Sequence, residues 1–201
     1  VDTRALGREF QSHGIRVLGS TIIGMEEHTP ENIDAVIRHA VEHNTDFHQF
    51  MLYTPMPGTP LHRELAEAQV LLPDEECPPA DVHGQERFNY IHPHIRNGQE
   101  RQFLLRAFEQ DFAVNGPSLA RITRTTLQGW QRYKDHSDPR IARRFRLGVK
   151  GLGSAYAGAV WAMARWYRHD AEMGPKMAAL LRDLRREFGW MSRLLAPLLG
   201  R

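Results

Sequence analysis

The chain of 201 residues contains a single cysteine, Cys77. One thiol excludes an internal disulfide and any metal site built from several cysteines of this sequence, and such low cysteine usage fits a reducing cytoplasm. No uncharged apolar run reaches the roughly 18 residues that a membrane-spanning helix needs. The first residues, VDTRALGREF, lack an initiator Met and a signal-peptide pattern. They have the pattern of the middle of a helix, so we expect a piece of a longer, cytoplasmic protein.

Charge is distributed unevenly along the chain, although the formal net charge is only +2. Residues 1–100 contain 7 Arg or Lys against 16 Asp or Glu, whereas residues 101–201 contain 19 against 8. This division predicts two modules. The basic half either contacts an anionic partner or presents a solvated face that complements the acidic half, and the sequence leaves both interpretations open.

Residues 1–75 alternate between helical and extended patterns. A helix ends before Gly14, a strand follows at 15–25, and a second helix starts at Thr29 and Pro30. A second strand covers 46–54, and another helix begins after the proline-rich turn. Both strands are almost continuously apolar, which predicts that each is covered on both faces. This alternation indicates parallel βαβ units, here part of a larger α/β barrel or doubly wound sheet.

The rest of the chain divides into a connecting segment and a helical part. Residues 76–98 carry several prolines and no sustained periodicity, which predicts a linker or covering loop. From residue 99 onward the apolar spacing is helical, with prolines at the starts of successive helices. We therefore predict an α/β part at 1–75, the connecting segment at 76–98 and an all-α domain at 99–201.

Two strand ends carry distinctive motifs, GSTIIGMEEHTPE and FMLYTPMPGTPL. Ligands of parallel sheets bind where the strands end and the loops leave. Gly24 lets the backbone approach a ligand without an intervening Cβ, and Ile22 offers an apolar surface on the same strand face. The prolines that follow Tyr53 and Thr54 fix the backbone, so its polar groups suit the edge of an adenine ring.

With these motifs and their spacing, residues 5–75 resemble the carboxyl half of a radical S-adenosylmethionine (SAM) enzyme barrel, above all the subgroup with a cobalamin-binding domain. The resemblance implies a partial TIM-like barrel, reductive cleavage of SAM at a 4Fe–4S cluster, and a 5′-deoxyadenosyl radical that abstracts a hydrogen atom. In the cobalamin subgroup the expected outcome is methylation of an unactivated carbon, on a lipid or another small molecule. The cofactor-binding positions that the resemblance implies are Ser20, Ile22, Gly24, Glu27, Gln49, Tyr53, Thr54 and Pro55.

The sequence departs from the pattern of that family at three places. Ser20 stands where the family has a glycine. Glu26, Glu27 and His28 stand where it has Pro-Gly-Glu, which leaves open which acidic residue keeps the family role. The C-x3-C-x2-C loop is absent, and Cys77 cannot replace it because the cluster needs three thiolates. The cluster ligands and any cobalamin domain are therefore expected outside this chain, which alone is expected to be inactive.

Other conspicuous residues admit more than one interpretation. The uncharged stretch at 151–164 fits a core helix or, with the flanking arginines of 140–168, a helix at the inner face of an anionic membrane. His92 and His94 are expected in a surface loop. Nucleic acid is not favoured, because no named binding motif accompanies the arginines. The alternative function is a non-catalytic α/β fragment whose basic helical tail binds a membrane or nucleic acid.

Overall fold

The computed structural model describes residues 1–77, 86–149 and 151–200. The part of the predicted connecting segment at 78–85 lies outside the described residues. The chain is α/β and mainly helical. Its elements are, in chain order, α1 (Thr3–Ser12), β1 (Leu18–Ile23), α2 (Ile33–Val41), β2 (Phe47–Leu52), α3 (Pro60–Glu67), α4 (Gln99–Asn115), α5 (Ser118–Tyr133), α6 (Pro139–Gly148), α7 (Ala157–Trp166) and α8 (Met173–Leu199).

The two strands pair in parallel to form a two-stranded sheet. The Tyr53 N–H donates to the Ile23 carbonyl at 2.8 Å, so the carboxyl ends of the strands lie side by side. The alternation of helix and strand and the parallel pairing are confirmed, although the strands are shorter than the predicted 15–25 and 46–54. The predicted TIM-like barrel is not seen among the described residues, because two strands cannot close a sheet on itself.

Within the described part of the chain, helices cover only one face of this sheet. Ile23 and Phe50 are buried on that face, and the Phe50 ring meets Phe108 of α4 edge to face at 5.2 Å. On the other face Leu18 and Ile22 are 63% and 44% exposed. The prediction that the strands are covered on both faces is therefore wrong for these residues, because no described element packs on the second face. The apolar pattern instead marks a surface that can contact a ligand or further protein.

Two compact units make up the described chain. The sheet unit contains residues 18–44 and 48–114, and its core lies around β1, β2, α2 and α4. The helical unit contains residues 1–17, 45–47 and those from 115 onward, with a core formed largely by α5, α7 and α8. Helix α8 is interrupted at Gly189, whose φ of 57° and ψ of −131° are not helical. The predicted division at 1–75, 76–98 and 99–201 stays a prediction.

Asp46 is a buried carboxylate that links several segments of the helical unit through hydrogen bonds. The side chain is fully buried. One carboxylate oxygen accepts hydrogen bonds from the Val17 N–H at 2.8 Å and from Gln11 Nε2 at 3.3 Å. The other accepts from the Thr125 hydroxyl at 2.6 Å. Through these bonds a single carboxylate joins α1, the segment that follows it and α5.

The uncharged stretch at 151–164 lies largely in the core of the helical unit. A short π-helical turn, Leu152–Tyr156, leads into α7. Leu152, Ala157 and Val160 are fully buried, as the core-helix interpretation expects. Trp166, at the end of α7, is 79% exposed. Every helix within the described ranges is too short or too polar to cross a bilayer.

Candidate functional site

Two consecutive residues of the segment before α4, Asn89 and Tyr90, hydrogen bond to the backbone at the carboxyl ends of β1 and β2. The Tyr90 hydroxyl donates to the Gly24 carbonyl at 3.1 Å, and Asn89 Nδ2 donates to the Pro55 carbonyl at 3.1 Å. All four residues are buried. Gly24 and Pro55 therefore lie at the same edge of the sheet, which is the arrangement that a shared ligand site at the strand ends requires.

The uncovered face of the sheet brings together four of the side chains predicted to bind the cofactor. Alternation along β1 directs Ser20 and Ile22 to this face, and alternation along β2 directs Gln49 there, with Tyr53 following in the same phase. Ser20, Ile22 and Gln49 are exposed, and Tyr53 is half-buried. The face thus offers an apolar surface, a hydroxyl and an amide side by side.

Gly24 has a different neighbour from the one predicted. Its φ of +84° lies in the left-handed region that favours glycine. A Cβ built at this position would lie only 2.2 Å from the Phe88 ring, so that side chain occupies the space. The packing of Phe88 on bare backbone, rather than the approach of a ligand, is why the position needs glycine. Contact between the Gly24 backbone and a cofactor stays a prediction.

Thr54 lies in the turn after β2. Pro55 is buried, and the Thr54 hydroxyl donates to the Leu52 carbonyl at 3.1 Å. The Thr54 backbone N–H and C=O make no hydrogen bond to any residue that the structure describes. They follow Tyr53 at the rim of the uncovered face. A ligand edge that carries one donor and one acceptor can pair with them.

The turn between β1 and α2 carries the predicted cap, although the helix itself begins at Ile33. The Thr29 carbonyl accepts from the Ile33 N–H at 3.1 Å, and the Thr29 hydroxyl accepts from the Glu31 N–H at 3.3 Å. The Asn32 side chain accepts from the Thr29 N–H at 2.9 Å and donates to the Glu27 carbonyl at 2.8 Å. The side chains of Glu27 and its neighbour Glu26 are exposed, and their roles stay predictions.

His92 is buried and hydrogen bonds to the loop after β1. The prediction that it lies in a surface loop is therefore wrong. The His92 side chain is 1% exposed, and its ring stacks on Phe88 with centroids 5.0 Å apart. Nε2 donates to the Met25 carbonyl at 3.1 Å, while Nδ1 accepts from the N–H groups of His94 and Ile95, both at 3.0 Å. The only sequence signal for its burial is the apolar alternation of FNYIHPHI around it.

His28 and His92 make the stability of this region dependent on pH. His28 Nδ1 accepts from the N–H groups of Gly24 and Met25 at 3.0 and 3.1 Å, so both histidines hold the loop with an unprotonated Nδ1. Burial lowers the pKa of each imidazole below its usual 6.5. A group whose pKa is lowered by folding stabilises the fold above the unfolded value and loses that contribution as the pH falls. We expect the free energy of unfolding to decrease from about pH 6.5 downward.

Urea unfolding at pH values between about 8 and 5 measures this dependence, in a range above the titration of most carboxyl groups. The variant His92→Asn should show a smaller decrease than the wild type. His39→Asn changes an exposed histidine of α2 and should keep the wild-type slope. If the free energy of unfolding depends on pH equally in the two variants, His92 does not stabilise the loop through its unprotonated Nδ1.

The described residues do not fit an iron–sulfur cluster. No group of three or more His, Cys, Asp or Glu side chains among them is arranged to hold a metal ion. Cys77 is a buried free cysteine, and a 4Fe–4S cluster bound with SAM needs three thiolates.

Comparison with known proteins finds a local match. A segment of the chain is 44% identical over 48 residues to an uncharacterized methyltransferase of Pyrococcus horikoshii. The match covers 24% of this chain and 10% of that protein. No protein-family model matches the chain. No solved structure matches it either. The chain therefore contains a short segment similar to a methyltransferase, which supports an enzyme without showing its class.

Proposed function

We propose that this chain supplies the SAM-binding rim of a methyltransferase of the radical SAM class. The observation that carries the proposal is the meeting of Gly24 and the Tyr53–Pro55 turn at one edge of a parallel sheet, beside an uncovered face. Ligands of parallel α/β folds bind at this edge. The short similarity to a methyltransferase supports the reaction class.

The uncovered face has the chemistry that adenosine requires. Ile22 and the Tyr53 ring would contact the flat base, and the Thr54 N–H and C=O would pair with its edge, which carries both acceptors and a donor. Ser20 and Gln49 would provide hydrogen-bonding groups for the ribose or for the methionine part. Because the turn is held by prolines and by Asn89, little backbone ordering would oppose binding.

Other components of the reaction are proposed from the motif resemblance alone. They are a complete TIM-like barrel, a 4Fe–4S cluster with ligands outside this chain, cobalamin, and a methyl acceptor carbon on a lipid or another unactivated compound. Since the described residues do not fit the cluster, we assign no electron-transfer step to them.

Saturation-transfer difference NMR with SAM tests the proposal, because this method detects weak ligands. The adenine protons should receive saturation from the wild-type chain. Ile22→Asp removes apolar contact and should weaken binding about tenfold. Ile91→Asp is the matched control, since Ile91 is 46% exposed against 44% for Ile22 and lies off the uncovered face. Equal signals from the two variants, or no adenine signal from the wild type, would exclude the proposed site.

Contact of residues 140–168 with an anionic membrane surface remains a second proposal. The exposure of Trp166 between Arg165 and Arg168 favours it, because tryptophan and arginine suit the headgroup region. Leu152 and Val160 are buried in the helical unit, so the contact would involve surface side chains rather than the apolar stretch itself. Failure of the chain to float with phosphatidylglycerol vesicles at low salt contradicts this proposal.

A further inference from the structure

A cavity of about 540 Å³ in the helical unit is lined by two arginines and by no carboxylate of the described residues. Arg16 lies after α1, and Arg144 lies on α6. The volume is in the range of sites for small molecules. Cationic walls without an acidic residue predict an anionic occupant.

The two guanidinium groups have no ion-pair partner in the described part of the chain. Arg16 Nη2 donates to the Thr126 hydroxyl at 3.3 Å, which orients the group without neutralising it. Arg144 Nη1 lies 3.2 Å from the position that a Cβ would take on Gly148, so the bare backbone there leaves room for the guanidinium. Both arginines are exposed, and an anion in the cavity would pair with these cations.

Two of the other residues that line the cavity carry aromatic rings. Phe145 lines it and stacks on Tyr133 with ring centroids 4.6 Å apart. His13 also lines it, and its Nδ1 is hydrogen bonded to the Tyr133 hydroxyl. The charged group that faces His13 is Glu9, whose Oε1 lies 2.9 Å from Nε2. The cavity lining therefore combines cationic donors with aromatic rings, which suits a phosphate group attached to an organic portion.

We infer that this cavity binds the phosphate group of a phosphorylated ligand, with Arg16 and Arg144 donating to its oxygens. The planar guanidinium presents paired N–H groups that match phosphate geometry. A free phosphate ester and a phospholipid head group present the same chemistry. The site is independent of the proposed adenosine site, because its lining residues all belong to the helical unit.

Titration of the full chain with inorganic phosphate, followed by 31P NMR at low ionic strength, tests this site. We expect saturable binding that weakens at least about tenfold in Arg16→Gln and in Arg144→Gln. Arg143→Gln, an exposed arginine of α6 outside the cavity lining, is the matched control and should change binding less than about twofold. Arg144→Lys keeps the charge and should retain part of the affinity, which separates loss of the cation from damage to the fold.

Flotation with phosphatidylglycerol vesicles distinguishes the two sources of phosphate. Vesicle binding that is lost in Arg144→Gln and kept in Arg143→Gln identifies a lipid head group. Vesicle binding that is equal in both, together with arginine-dependent binding of inorganic phosphate, identifies a free phosphorylated ligand. No binding of inorganic phosphate, or equal binding by all four variants and the wild type, overturns the inference.

Discussion

Gly24→Ala is expected to lower the free energy of unfolding by about 2–5 kcal/mol. Two costs add at this position. Alanine at a φ of +84° costs about 1–2 kcal/mol. The new methyl group would also lie 2.2 Å from the buried Phe88 ring, and overpacking of this kind costs about 1–3 kcal/mol. Phe88 cannot move away freely, because its ring stacks on His92.

Gly58→Ala provides the matched control for this expectation. Gly58 has a φ of +87°, but a Cβ there would meet no atom within 4 Å. The control therefore carries the backbone cost without the clash. Urea unfolding followed by circular dichroism measures both variants, and the difference between them reports the contact with Phe88. A cost for Gly24→Ala no greater than that for Gly58→Ala would show that Phe88 does not pack on this backbone.

Asp46→Ala is expected to destabilise the chain by about 3–5 kcal/mol. The substitution removes the acceptor of three hydrogen bonds, from Val17, Gln11 and Thr125. The position is fully buried, so water cannot readily replace the lost acceptor. The orphaned Thr125 hydroxyl is buried and costs about 1–3 kcal/mol, whereas the Val17 N–H and the Gln11 amide are partly buried and cost less. The small cavity adds to this.

Asp34→Ala is the corresponding change at a surface carboxylate. Asp34 pairs with Arg106 at 2.7 Å, and both side chains are close to half exposed. Exposed ion pairs contribute about 0–1 kcal/mol, so this variant should unfold close to the wild type. Thermal unfolding of the two variants side by side checks the difference. Similar destabilisation by both substitutions would mean that the hydrogen bonds of the buried Asp46 carboxylate do not stabilise the helical unit more than a surface ion pair does.

The helices and strands were predictable where short-range periodicity determines them. Nearly continuous apolar runs indicated β1 and β2, and the helical spacing of apolar residues indicated that the chain from residue 99 onward is helical. Helix α2 begins at Ile33, a few residues after the predicted start at Thr29 and Pro30, but the Thr29 carbonyl and hydroxyl accept from the Ile33 and Glu31 N–H groups as the predicted cap requires. The Asn32 side chain, which the prediction did not use, closes the same turn by accepting from the Thr29 N–H.

The candidate site was predictable only in part. The motif resemblance implied Ser20, Ile22 and Gln49 as cofactor-binding positions, and in the structure the alternation of side chains along the paired strands brings them to one face. The hydrogen bonds that fix the two strand ends come from distant parts of the chain. Asn89 lies more than 30 positions from its partner Pro55. Tyr90 and His92 lie more than 60 positions from their partners, Gly24 and Met25. No local pattern encodes such long-range hydrogen bonds. The prediction that both faces of each strand are covered was wrong for a related reason. An apolar strand shows that a face prefers burial, but it does not show what buries that face.

Amide chemical-shift mapping with SAM tests the nucleoside site most directly. Isotope-labelled chain titrated to millimolar SAM should show saturable shifts at Ile22, Gly24 and Thr54, with the helical unit unchanged. The affinity is expected to be weak, and shift changes remain visible at a dissociation constant of about 1 mM. Shifts that are absent from these positions, or that concentrate in the helical unit, would contradict a nucleoside site at the strand ends.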